Sequence, residues 1–201
     1  MPIAINGSGT VTGISVGGLP DGIVDTDMLA AKAATTSKIG NGGIIQVVSA
    51  QKTDTASYSG TSQFHTVDGL TLNITPTSSS NKIFVCFNMN IGCNSTGAGI
   101  GGKIFRTSDS QNILRAPADG SRTRAYVAQF TCHSNTTNTT RFVSPSFLDS
   151  PNTTSQVSYA FQVYVSTQTV FINRSSEDLN SANNARGCCF AYAMEVVAAW
   201  I

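Results

Sequence analysis

Charge is what this sequence has least of. Of 201 residues, 12 are Lys or Arg and 11 are Asp or Glu, which is 11% in all and a net charge of +1. An ordinary globular chain carries roughly 25%. Histidine is scarce too, with only His65 and His133. Nucleic-acid binding through counterion release needs clustered cations. Arg115, Arg122, Arg124 and Arg141 are dispersed, with Asp119 among them, so no nucleic-acid partner is expected. Neither histidine stands in a metal-ligand spacing, and Cys86, Cys93, Cys132, Cys188 and Cys189 form no C-x-x-C pair. No metal and no cofactor are therefore expected, and the cysteines read as buried free thiols acting as small hydrophobes. No run of about 18 apolar residues occurs, which argues against membrane insertion. The N-terminus shows no basic stretch leading into an apolar one, so synthesis in a cytoplasm is expected.

Placed catalytic groups are also missing. Glycoside hydrolysis needs two positioned carboxylates. The acidic residues Asp54, Asp68, Asp109, Asp119, Asp149, Glu177, Asp178 and Glu195 mostly stand beside Gly, Ser or Pro, where a turn role is the ordinary one. Cys132 and His133 are adjacent, so in a strand they point to opposite faces and make no nucleophile–base pair. The glycine-rich run Gly97 to Gly102 would cradle a phosphate only if a helix followed, and Lys103-Ile104-Phe105-Arg106 reads as a strand. Catalytic residues are expected to be absent, and with them enzyme activity.

Ser, Thr, Asn and Gly take the place of charge, while hydrophobic residues are an ordinary 40%. Low hydrophobicity with high net charge marks disorder, and this chain has neither. Uncharged polar surfaces suit β structure and large subunit interfaces, where Lys and Glu are depleted.

Residues 1–43 form a region of their own. Glycines punctuate residues 1 to about 24, and Leu19-Pro20-Asp21-Gly22 is a turn signal. The small apolar residues Ile3, Ile5, Val11, Ile14, Val16 and Leu19 cannot build a core within one chain. A short helix is expected next, capped by Asp25 or Thr26 and stopped near Gly40. Its apolar residues Met28, Leu29 and Ile39 are expected to pack against symmetry mates, because so short a helix is marginal alone. Asn41-Gly42-Gly43 is a joint.

From Ile44 the pattern is that of strands. They are expected at 44–48, 64–75 with an Asp68-Gly69 turn or bulge, 83–91, 102–107, 124–132, 142–148, 157–165, 169–173 and 188–200. In 83–91 and 157–165 every odd position is apolar, so one face of each is buried. Eight to nine short strands argue a jelly-roll-like β-sandwich over 44–201. Surface loops are expected at Gly92 to Gly102 and Asn173 to Gly187. The apolar stretch Val196 to Ile201 is expected to be packed, with another subunit as one candidate surface.

The opening Ile5-Asn6-Gly7-Ser8-Gly9-Thr10-Val11-Thr12-Gly13-Ile14-Ser15-Val16-Gly17-Gly18-Leu19-Pro20-Asp21-Gly22-Ile23-Val24-Asp25 resembles the N-terminal module of tail-fibre-like virion proteins of tailed bacteriophages, notably phages of cyanobacteria and other marine bacteria. Thr35-Thr36-Ser37-Lys38-Ile39 resembles a unit repeated in their shafts, and Asp68 to Val85 is similar to a recurring part of their C-terminal domains. Together these matches cover under a third of the chain. The resemblance implies a virion structural protein. It would be a homotrimer with an attachment arm (residues 1–43, through Ile3, Ile5, Val11, Ile14, Val16 and Leu19) and a β head. The arm would join other phage proteins of the tail or, alternatively, of the capsid as a decoration protein or head fibre. Tyr58, Arg115 and Arg122 are the candidate contacts to a host-surface glycan. A polysaccharide-degrading enzyme is the opposing reading.

Overall fold

Two long strands with one fully apolar face each dictate the architecture. The computed structural model describes residues 43–94, 100–113, 116–130 and 139–197, with Val127–Phe130 as backbone only. They lie in one compact unit that begins at Gly40. The expected arm, its plugs Ile3, Ile5, Val11, Ile14, Val16 and Leu19, the helix residues Met28, Leu29 and Ile39, and Arg115, Cys132, His133 and residues 198–201 lie outside the described residues.

The described residues are mainly β. The strands are β1 (Ile44–Lys52), β2 (Ala56–Tyr58), β3 (Gln63–Thr66), β4 (Leu72–Ile74), β5 (Lys82–Cys93), β6 (Ile100–Arg106), β7 (Gln111–Asn112), β8 (Val127–Phe130), β9 (Thr140–Val143), β10 (Ser146–Asp149), β11 (Val157–Val165), β12 (Val170–Ile172) and β13 (Cys189–Val196). All pairings are antiparallel.

The first sheet is organised by β5. One edge of β5 pairs with β13 and then β12, and the other with β10 and then β9. Strand β1 extends the sheet beyond β13, and β2 extends it beyond β12. The second sheet is centred on β11, with β3 and β4 along one edge and β6 on the other. Beyond β6 lie β7 and β8.

Ile83, Val85, Phe87, Met89 and Ile91 of β5 and Tyr159, Phe161, Val163 and Val165 of β11 are fully buried in one hydrophobic cluster. Phe87 and Phe161 meet across the sheets with ring centroids 6.2 Å apart. The period-2 alternation of both strands is thus the core of the sandwich. Gly102 lies under the Phe161 ring, where any Cβ would overlap it.

Several expected boundaries shift for identifiable reasons. The strand expected over 142–148 is two strands. Pro145 has no N–H to give the ladder, and its carbonyl accepts from Phe87 N–H at 3.0 Å. Such a break is tolerated on the outer edge of β5. The expected strand 64–75 is interrupted at Asp68-Gly69, where Gly69 takes a φ of +80°, a left-handed conformation that favours glycine. The loop expected from Gly92 is shorter than the glycines suggest, because Cys93 and Ile100 are both buried in the core.

Candidate functional site

The charged side chains of the head tie its parts together. Asp149, at the end of β10 in the first sheet, accepts a hydrogen bond from Tyr159 Oη at 2.7 Å and another from Arg106 Nη1 at 2.6 Å. Arg106 and Tyr159 belong to β6 and β11 of the second sheet, so this cluster bridges the two sheets. Arg106 also donates Nε to both oxygens of Asp109, at 2.9 and 3.0 Å. The Asp109 carboxylate first, and Asp149 behind it, raise the guanidinium above its ordinary value. Burial, reinforced by the charge of Asp149, pushes the Tyr159 phenol up.

Glu195 is fully buried at an inward position of β13. Its Oε1 accepts from Thr77 N, Thr77 Oγ1 and Asn81 Nδ2, each at 2.7 Å. The carboxylate therefore fixes the polar loop that leads from β4 into β5. A third cluster surrounds Asn173, whose φ of +63° is one that asparagine tolerates. Its Nδ2 donates to the carbonyls of Lys52 and Asp54 at 2.8 and 2.9 Å, and its Oδ1 accepts from the Cys189 thiol at 2.9 Å. Burial raises the pKa of that thiol. Lys52 Nζ pairs with Asp54 at 2.7 Å.

The four described cysteines are free thiols, with Cys86, Cys93 and Cys189 buried and Cys188 exposed. No group of three or more potential metal-ligating side chains occurs among the described residues. No described helix is long and apolar enough to cross a membrane.

Of the sequence-derived receptor candidates, Tyr58 and Arg122 are among the described residues. Tyr58, expected on an exposed loop, is half-buried in β2. Its ring centroid is 5.5 Å from that of His65, and its hydroxyl accepts from Asp68 N–H at 3.0 Å. Alternation of Ala56 with Tyr58 is too short a pattern to announce a strand, and pairing with β12 decides it. Arg122 is exposed and paired with Asp119. The loop expected at Asn173 to Gly187 instead holds a polar pocket of about 330 Å³, lined by Asp178, Leu179, Asn180, Ser181, Asn184 and Arg186. Asp178 takes Arg186 Nε and Nη2 at 2.9 and 2.8 Å, and Arg186 first of all holds its carboxyl below the ordinary value. The pocket thus presents a carboxylate paired with a guanidinium, two amides, a hydroxyl and one leucine.

Both outward faces of the sandwich mix polar and apolar residues. On the second sheet, Asn73, Ser158, Thr66, Gln162 and Lys103 share the outward parity with Phe64, Tyr164 and Phe105, and Ser158 donates to Asn73 at 2.6 Å and Gln162 to Thr66 at 3.1 Å. Lys103 Nζ lies 3.9 Å from the Phe64 ring centroid there. On the first sheet, register aligns Val47, Met194, Phe84 and Leu148 in one outward row, and Ser49, Tyr192, Cys86 and Ser146 in the next. Gln51, Phe190 and Asn88 follow. The only charge among the outward strand positions of β1, β13, β5 and β10 is Lys82, at one end.

No family model matches the chain, and no curated protein matches it. Solved structures do. The structure of the infectious bursal disease virus Gx strain matches at 12% identity and TM-score 0.41, over 76% of this chain and 37% of that one. A crystal structure of the VP2 subviral particle of the same virus matches at 12% identity and TM-score 0.40, over 76% and 38%. The chain thus spans little more than a third of the length of the proteins it matches. At these scores the likeness is too distant to assign a topology or a role.

Proposed function

We propose that this chain is a non-enzymatic structural subunit of a bacteriophage virion, a short trimeric tail fibre or appendage. In this reading residues 1–43 attach it to the particle, and residues 44–201 form a jelly-roll-like head. The observation that carries the structural half is the use made of the carboxylates. Asp149 and Glu195 are buried and act as struts between sheets and loops, and Asp54, Asp109, Asp119 and Asp178 are each paired with a cation. A catalytic carboxylate pair needs two such groups facing one cleft, whereas the one pair that shares a cluster, Asp109 and Asp149, is held by the guanidinium of Arg106 between them. The virion half rests on the resemblance of Ile5 to Asp25 and of Thr35 to Ile39 to fibre-like proteins. Proteins of this build also decorate capsids or form head fibres, and fold alone does not separate these roles.

Host contact, in this reading, falls to the loops of the head, and the polar pocket around Asp178 and Arg186 supports a surface glycan as ligand. Mass spectrometry of purified phage particles tests the central reading. The chain is expected in stoichiometric amount, and its absence from particles would overturn the proposal. Release of oligosaccharide from host polysaccharide by the purified protein would instead favour the enzyme.

A further inference from the structure

The outward face of the first sheet is built to be covered. Val47 is 56% exposed, Phe190 44% and Phe142 61%, and half-buried Phe84, Tyr192 and Met194 lie between them. A solvated sheet face ordinarily alternates apolar inward with polar outward residues. Strand β13 breaks that rule, with apolar residues on both faces. Three polar groups in the middle of this face already bond one another. Ser144 Oγ donates to Asn88 Oδ1 at 2.8 Å, and Asn88 Nδ2 donates to Cys86 Sγ at 3.5 Å. Covering Ser144, Asn88 and Cys86 therefore leaves these contacts in place.

Resting on the reading of the chain as an assembly subunit, we propose that this face is covered by the same face of further copies of this chain. Charge decides the occupant. Between its ends the face carries no charged side chain, so a copy of itself meets it without repulsion and without an unpaired ion. A charged partner would find nothing to pair with. Size agrees with this. Four strands spaced about 4.8 Å apart, over about eight residues of β5 at about 3.4 Å each, give a plan area of about 500 Å² before side-chain relief is added. A specific interface takes about 800 Å² from each partner, so the face supplies most of one half.

The test uses the full-length protein in sedimentation velocity, with Val47→Glu and Phe190→Glu on the face and Gln162→Glu on the opposite sheet as control. The wild type and the control are expected to sediment as one oligomer. Both face variants are expected to weaken association at least a hundredfold while keeping the wild-type circular dichroism. Unchanged sedimentation of the face variants would overturn the proposal, and so would a monomeric wild type. A photo-crosslinker placed at Val47 keeps the test decisive if either glutamate variant misfolds. Cross-links to β1, β5 or β13 of a second copy support the proposal, and cross-links to residues 1–42, or within a single chain, refute it. Particle mass spectrometry remains separate, because a chain found in virions but not associating through this face would keep the functional reading and sink only this one.

Discussion

Replacing Asp149 by alanine removes the acceptor shared by Arg106 and Tyr159 at the seam between the sheets. Breaking a buried ion pair by deleting one partner typically costs about 3–5 kcal/mol. Here the lower end applies, because Arg106 keeps Asp109 at 2.8 Å while its Nη1 and the Tyr159 hydroxyl lose their acceptor. The expected loss is about 3 kcal/mol. Asp149→Asn retains an acceptor for the phenol and loses the charge, at a cost of about 1.5–2 kcal/mol. Tyr159→Phe removes a single hydrogen bond and leaves Asp149 paired with Arg106, costing about 1 kcal/mol. Urea unfolding followed by circular dichroism, at one fixed protein concentration because association shifts apparent stability, reads all three. The ranking is as informative as the sizes. An Asp149→Ala loss below about 1 kcal/mol, or a Tyr159→Phe loss equal to it, would refute the view that this cluster joins the sheets.

Other outcomes follow from the same structure. Glu195→Ala leaves three donors from Thr77 and Asn81 without their acceptor and should cost about 3 kcal/mol or more, while Glu195→Gln, which keeps an oxygen in place, should cost about a third of that in the same assay. Gly102→Ala forces the Phe161 ring aside in a packed core and should lose about 1–3 kcal/mol. In the native protein a thiol reagent should modify Cys188 at once and leave buried Cys86, Cys93 and Cys189 untouched until unfolding, as peptide mapping would report. The folded Tyr159 phenol titrates above the 10.0 of an ordinary tyrosine, so the native state keeps a proton that the unfolded chain has lost. Its contribution is complete below about pH 10 and is lost as pH rises beyond that, and the alkaline fall in urea midpoint should be shallower in Tyr159→Phe.

The parts of the head legible in the sequence were those set by local alternation. Strands β5 and β11 follow from apolar odd positions over nine residues each, and the break at Asp68-Gly69 follows from turn chemistry. Strand β2 and the split of β9 from β10 depend on partners distant in sequence, and no local pattern announces them. Arg106, Asp149 and Tyr159 are likewise joined only by the packing of two sheets. Two signals were available in β13. Glu195 falls on the inward parity of Cys189, Ala191 and Ala193, which marks a buried carboxylate that must find donors. Phe190, Tyr192, Met194 and Val196 fill the outward parity, which marks a strand apolar on both faces and hence a surface that needs covering. Tyr58 lies in a strand because β2 pairs with β12, which its flanking Ser and Gly residues do not announce.

The most direct test of the account is a cryo-EM map of the purified virion. The account predicts density for a β-sandwich at a defined tail or capsid position, present in three copies around an axis and joined to the particle through residues 1–43. A particle map fully explained by other proteins, together with no peptide of this chain in the same preparation, would contradict it.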